Sequence, residues 1–169
     1  PEVEARVHQE LDEVYGDDPP TAADVRELEY LERVLNEAMR LYPPVYVIFR
    51  EPRVDVRLGG YRIPEGSAVM LSQWVTHRSD RWYDDPERFD PDRWLPERRT
   101  ERPRFSYFPF GGGPRHCIGK HLALLEGRVI TATVAANYDL DYNRDEPFDL
   151  RGSLTMHPQQ PMSMQVTKR

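Results

Sequence analysis

Phe108-Pro-Phe-Gly-Gly-Gly-Pro-Arg-His-Cys-Ile-Gly119 decides how this chain is read, because it holds the only cysteine, Cys117. An apolar-periodic helix is expected directly after it. A thiol at a helix start meets unpaired backbone N–H groups and the positive end of the helix dipole, and both favour the thiolate. Three consecutive glycines let the backbone pass close to something flat or bulky. Arg115 adds a fixed positive charge beside them. Together these residues describe a soft, charged sulfur presented to a large anionic group.

Taken residue by residue, the loop admits four readings. Free cysteine often packs as a small hydrophobe, which makes Cys117 structural. Structural zinc needs four ligands, and although Cys117 and His121 could supply two, no second Cys/His pair lies nearby. A cysteine nucleophile with a histidine base is the third reading. Thiolate ligation of haem iron is the fourth, and it also accounts for the arginine and the glycines.

Composition narrows the class. At 169 residues, one domain is the prior. Proline makes up 16 of them, nearly twice average usage, which implies many turns and irregular segments. A net charge of −6 argues against nucleic-acid binding, which wants a basic face. No apolar run approaches the roughly 18 residues of a membrane span. A single cysteine excludes an internal disulfide framework and suits a reducing compartment. Among the 23 basic side chains only Lys120 and Lys168 are lysine, a bias consistent with a GC-rich genome or a salt-adapted proteome.

Outward from the loop, the order is helix, helix, small sheet, irregular stretch, helix, tail. Val3, Val7, Leu11 and Val14 recur at helical spacing until Gly16-Asp-Asp-Pro-Pro20 breaks the pattern. Thr21-Ala-Ala-Asp24 resembles a capping box with Asp in place of Glu. It is expected to open a helix with the stripe Val25, Leu28, Leu31, Leu35, Ala38 and Met39, stopped by Pro43-Pro44. Val45–Arg50 reads as a strand. Val54, Val56 and Leu58 alternate with polar residues, and Gly59-Gly60 turns them into Tyr61–Ile63 as a hairpin. Ala68–Val75 is a strand or a helix start. Residues 77–109 carry no sustained period. After Cys117, Ile118, Leu122, Leu125, Val129 and Ala132 predict one apolar helix stripe.

Phe110-x-x-Gly113-x-Arg115-x-Cys117-x-Gly119 resembles the haem-binding signature of the cytochrome P450 family at every defined position. Glu37-Ala-Met-Arg40, followed by Leu-Tyr-Pro-Pro44, is similar to that family's Glu-x-x-Arg motif. Tyr61-Arg-Ile-Pro-Glu-Gly66 resembles its strand–turn step. Pro86-Glu-Arg-Phe-Asp-Pro-Asp-Arg-Trp94 resembles its meander, with Pro91-Asp-Arg-Trp94 where Pro-Glu-Arg-Phe is usual. Each pattern is weak alone, but four in order at ordinary spacings are strong.

The resemblance implies a mainly α fold with a small β-sheet (α+β), the carboxy-terminal part of the cytochrome P450 fold. That part comprises the Glu-x-x-Arg helix, the meander, the Cys-ligand loop and the following helix. Residues 1–169 are expected to form a single partial domain. The distal and amino-terminal part, with the central helix whose acid–alcohol pair handles dioxygen, falls outside it. A start at Pro1 fits a fragment, expected to be inactive alone.

For the site, the resemblance implies that Cys117 is the axial thiolate of haem b. Arg115 and Arg50 would bind its propionates, and Phe110 would pack near the sulfur. Gly113 and Gly119 complete the cofactor loop, and His116 takes a packing or solvated role. Glu37, Arg40 and Arg93 would form a buried structural network. An i,i+3 Glu–Arg pair is otherwise usually solvent-exposed and worth only about 0.2–0.5 kcal/mol.

The implied activity is haem-thiolate monooxygenation, inserting one oxygen atom from dioxygen into an apolar organic substrate. Its alternatives are a peroxide-using or rearranging haem-thiolate enzyme, or a non-catalytic truncated remnant. Val45–Phe49 and Leu154–Met156 are expected to edge the substrate. The implied partner is a ferredoxin-, flavodoxin- or reductase-type electron donor. It would dock on Lys120, His121, Arg128, Arg98, Arg99, Arg102 and Arg104, unless these form a solvated loop neutralised by Glu97 and Glu101. A cytoplasmic location is expected.

Overall fold

Helical periodicity and one long-range cap build the core. In the computed structural model, which describes residues 1–16, 24–142 and 148–169, α1 spans Glu2–Tyr15 and α2 spans Glu29–Leu41. Val7, Leu11 and Tyr15 bury one stripe of α1 against Val25, Leu28, Tyr30 and Leu31, and Ala132 closes the cluster from the last helix. Each fully buried leucine here is worth about 1.5–3 kcal/mol relative to exposure.

The second helix starts later than the capping pattern predicts. Thr21–Ala23 lie outside the described residues, Asp24–Arg26 forms a 3₁₀ turn, and α2 begins at Glu29 with Leu28 at its N-cap. Leu28 has no side-chain acceptor to offer. Instead the Glu10 carboxylate of α1 accepts from the Tyr30 and Leu31 backbone N–H groups at 2.6 and 2.8 Å. Val25 and Leu28 are completely buried, and the 3₁₀ turn turns both inward. A helix start needs its free N–H groups satisfied, not by any particular neighbour in sequence.

The strands form four separate two-stranded antiparallel pairs among the described residues, not one small sheet. β1 (Val47–Arg50) pairs with β4 (Val69–Ser72), and β2 (Val56–Leu58) pairs with β3 (Tyr61–Ile63) across the Gly59-Gly60 turn. The ambiguous segment 68–75 is both things: β4 leads into the helical turn α3 (Gln73–Thr76), capped by the Ser72 hydroxyl accepting from Val75 N–H. The aperiodic stretch after it contains a 3₁₀ turn at Pro91–Trp94 and the helical turn α4 (Pro96–Arg99).

α5 runs from Lys120 to Asn137. Its predicted stripe holds only in part. Leu125, Val129 and Ala132 join the core, whereas Ile118 precedes the helix and is 99 % exposed, and Leu122 is 60 % exposed. The loop ends in a turn at Ile118–Gly119, so the helical period starts two residues later than the apolar pattern. β5 (Tyr138–Asp141) follows and pairs with β8 (Gln165–Lys168), while β6 (Leu150–Gly152) pairs with β7 (Met156–Pro158). No helix among the described residues is long and apolar enough to cross a membrane.

Candidate cofactor site

Backbone geometry shapes the glycine loop. Gly111 and Gly113 sit at φ +71° and +72°, the left-handed region that side chains disfavour. A Cβ on Gly112 would come within 2.6 Å of the Phe105 ring, so only glycine lets the loop pass that aromatic. The turn is closed by Cys117 N–H donating to Phe110 O at 2.9 Å and His116 N–H donating to Gly113 O at 3.1 Å. Phe108 N–H is held from outside by His77 Nε2 at 2.9 Å. Cys117, free and exposed, thus stands two residues before Gly119, the N-cap of the 18-residue α5. That is the positive end of the helix dipole.

A cavity of about 470 Å³ opens on this sulfur. Its walls bring together Cys117, Arg115, Phe110 and Arg50, with Pro44, Val45, Ile48 and Met39 as apolar lining. Arg50 donates only to the neighbouring Phe49 carbonyl, at 2.8 Å. Gly113 lines the adjoining cavity, which shares Ile48 and Arg50 with the first. A Cβ on Gly119 would lie 3.8 Å from the Cys117 sulfur. Leu154, expected at a substrate edge, is 94 % exposed and does not line the cavity, although Met156 N–H ties its turn to Pro44 O at 2.8 Å.

Sequence reasoning missed Gln73. It is fully buried in the same cavity wall, and both ends of its carboxamide lack a hydrogen-bond partner among the described residues. A buried amide left this way is unfavourable unless something polar meets it. A single glutamine in a segment read as strand or helix start gave no signal for this.

Behind the loop, Glu37 and Arg40 are completely buried and Arg93 is 2 % exposed. Arg40 grips the Glu37 carboxylate with two N–H groups at 2.8 and 2.9 Å, and Arg93 Nε donates to it at 3.3 Å. Asp90 N–H and Trp94 Nε1 complete the set at 2.8 and 3.0 Å. Tryptophan at the position where phenylalanine is usual therefore adds a donor. Arg40 also donates to the carbonyls of His77, Pro86 and Arg88, which pins the irregular stretch to α2.

His77 is the other residue that the motifs did not single out. Burial, with Arg40 and Arg78 nearby, pushes its pKa down to about 4. Well above pH 6.5 the ring is neutral whether folded or unfolded, and the shift has no effect. As pH falls toward 4 the unfolded chain takes up a proton that the native ring refuses. Stability should drop by about 3 kcal/mol across that window and then level off. Equilibrium urea unfolding of the parent and His77→Gln at a series of pH values checks this: the parent's stability relative to the variant should fall as pH drops from about 7.5 to 4. A pH-independent difference would refute the assignment.

The predicted basic docking patch is smaller than its sequence suggests. Arg128 pairs with Glu32 at 2.6 Å and Arg98 with Asp90 at 3.2 Å. Arg102 donates to Arg93 O at 2.8 Å and stacks over the Tyr83 and Trp94 rings, so it is structural. Arg99, Lys120 and the exposed Arg104, whose guanidinium lies over the neighbouring Phe105 ring at 5.1 Å, line a second cavity with His116, and His121 is exposed. Carboxylates and aromatic rings of the meander and α2 claimed the others.

Comparison with known proteins agrees with this architecture. The chain is 45 % identical over 138 residues to cyclooctatin synthase of Streptomyces melanosporofaciens, covering 82 % of this chain and 30 % of that protein. It is 36 % identical to cytochrome P450 4c3 of Drosophila melanogaster, covering all of this chain and 32 % of the relative. Its structure resembles the crystal structure of the cytochrome P450DA heme domain with a TM-score of 0.94 at 32 % identity, covering all of this chain and 38 % of that one. The chain thus spans about a third of the length of these relatives. Residues 1–166 match the cytochrome P450 family across nearly the whole sequence, and the chain belongs to that family.

Proposed function

We propose that this chain is the haem-holding, carboxy-terminal part of a haem-thiolate monooxygenase that inserts one oxygen atom of dioxygen into an apolar organic substrate. The observation carrying this reading is the cavity that gathers Cys117, Arg115, Arg50 and the unpartnered Gln73 amide within apolar walls. The donor set fits haem b: a soft sulfur for iron, two guanidinium forks for two propionates, and flat apolar surfaces for the ring. Haem bound there would supply dioxygen activation, with thiolate ligation favouring O–O cleavage.

Each residue has a distinct task. Cys117 would hold the iron through its thiolate, and the N–H···O bond to Phe110 fixes the backbone from which its sulfur projects. Arg115 and Arg50 would orient the ring through its carboxylates, and the Gln73 amide stands in the same cavity wall. Phe110 packs by the sulfur and limits water around it. Gly113 and Gly119 keep the loop close, and Val45 and Ile48 present an apolar edge to substrate. Glu37, Arg40 and Arg93 act structurally, holding the meander and Arg40's carbonyl partners behind the loop. The reduced holoprotein with carbon monoxide should show the red-shifted Soret band of thiolate ligation. An unshifted band overturns the reading.

Electrons would arrive from an acidic ferredoxin-, flavodoxin- or reductase-type donor docking on Arg99, Arg104 and Lys120. Complementary charge acts mainly on encounter rate and is screened by salt. In the full-length parent, Arg99→Glu with Arg104→Glu should slow donor-driven reduction several-fold at low ionic strength and leave peroxide-driven turnover intact. Equal loss of both activities would make the face structural. Arg102 is no probe of docking, because its replacement would disturb the Tyr83–Trp94 stack.

A further inference from the structure

Far from the glycine loop, α1 and the β5–β8 pair face each other across a second polar cleft. Its composition follows from two periodicities. Glu4 and His8 are i,i+4 neighbours, so they share one face of α1. Asp139 and Asp141 alternate along β5, and the register sets them opposite Thr167 and Gln165 on β8. All four therefore point to one face of the pair, while Lys168, opposite Tyr138, belongs to the other. These residues line a cavity of about 420 Å³, and among the described residues no arginine or lysine side chain lines it.

We infer that Glu4, His8 and Asp139 form a divalent transition-metal site, with zinc the best-matched ion. Their ligand atoms lie within 4.8 Å of one another, and His8 Nδ1 stands 3.8 Å from Asp139 Oδ1. Tetrahedral zinc with bonds of about 2.1 Å would bring neighbouring donors to about 3.4 Å. The exposed carboxylates of Glu4 and Asp139 can close that gap by rotamer changes around the half-buried imidazole. One nitrogen and two carboxylate oxygens suit zinc, cobalt or nickel better than calcium, which takes oxygen ligands alone. Asp141, two residues along the same strand face, or water would fill the fourth position. Donors more than 130 residues apart in sequence meet here, so the ion would clip α1 to the carboxy-terminal strand pair. This inference is independent of the haem reading.

The competing reading is a simple His8–Asp139 ion pair, formed only when the imidazole is protonated. Calorimetric titration of zinc chloride into the full chain at about pH 7.5 separates the two. The inference expects saturable binding and a zinc-dependent rise in unfolding temperature. His8→Ala and Asp139→Asn should each weaken the zinc affinity by more than about tenfold and remove the thermal shift, since each deletes one of three donors. Circular dichroism checks that the variants fold. Glu4→Gln, at an exposed position, provides the same test if either of the others loses structure. Absence of binding at millimolar zinc, or affinity unchanged in the variants that fold, overturns the site.

Discussion

Replacing Cys117 with serine is expected to abolish the red-shifted carbon monoxide band of the reduced haem-bound protein and, in the full-length parent, the proposed dioxygen-dependent turnover. No second cysteine exists in the chain to take over the ligation. The fold should survive, because Cys117 is exposed and its role in the loop is a backbone bond to Phe110 that serine retains. Far-UV circular dichroism and the denaturation midpoint should therefore stay close to the parent, while the spectrum changes completely. A retained red-shifted band in the variant would sink the assignment of Cys117 as ligand.

The second large effect concerns Glu37. Its carboxylate accepts five hydrogen bonds, from Arg40 twice, Arg93, Trp94 and the Asp90 backbone. Glu37→Ala would strand two buried guanidinium groups and two neutral donors at once. Removing one member of a buried ionic set typically costs about 3–5 kcal/mol. Arg93→Ala should cost less, because Glu37 keeps its bidentate partner Arg40. The double variant should fall well short of the sum, since the second deletion removes a charge already unpaired. Urea unfolding with haem-binding spectra measures both consequences, and Glu37→Ala is expected to hold haem poorly because the meander loses its anchor to α2. Strictly additive losses, or normal haem uptake in Glu37→Ala, would count against a coupled network.

Several details were legible because they are local. The turn at Gly59-Gly60 required a hairpin, and β2 and β3 form it. The α1 stripe of Val7 and Leu11 needed only the helical period, and both residues are buried. The Phe108–Gly119 loop advertised its shape through glycines, and two of them take left-handed backbone angles. Local sterics and periodicity act within a few residues, so a sequence states them directly.

Tertiary structure decided whatever depended on a partner far away in the chain. Glu10 caps α2 across twenty residues, so no motif next to the helix could fix its start. Arg102 and Arg128 look like free surface cations in sequence, yet Trp94, Tyr83 and Glu32 claim them. Gln73 gains meaning only because folding buries its amide in the wall that also holds Arg50, Arg115 and Cys117. Sequence by itself determined the family-like loop, the buried face of α1 and the residue types able to hold a haem. Folding alone determined which charges are spent on the core and which face the cavity, because burial and pairing arise from contacts between segments that no local pattern encodes.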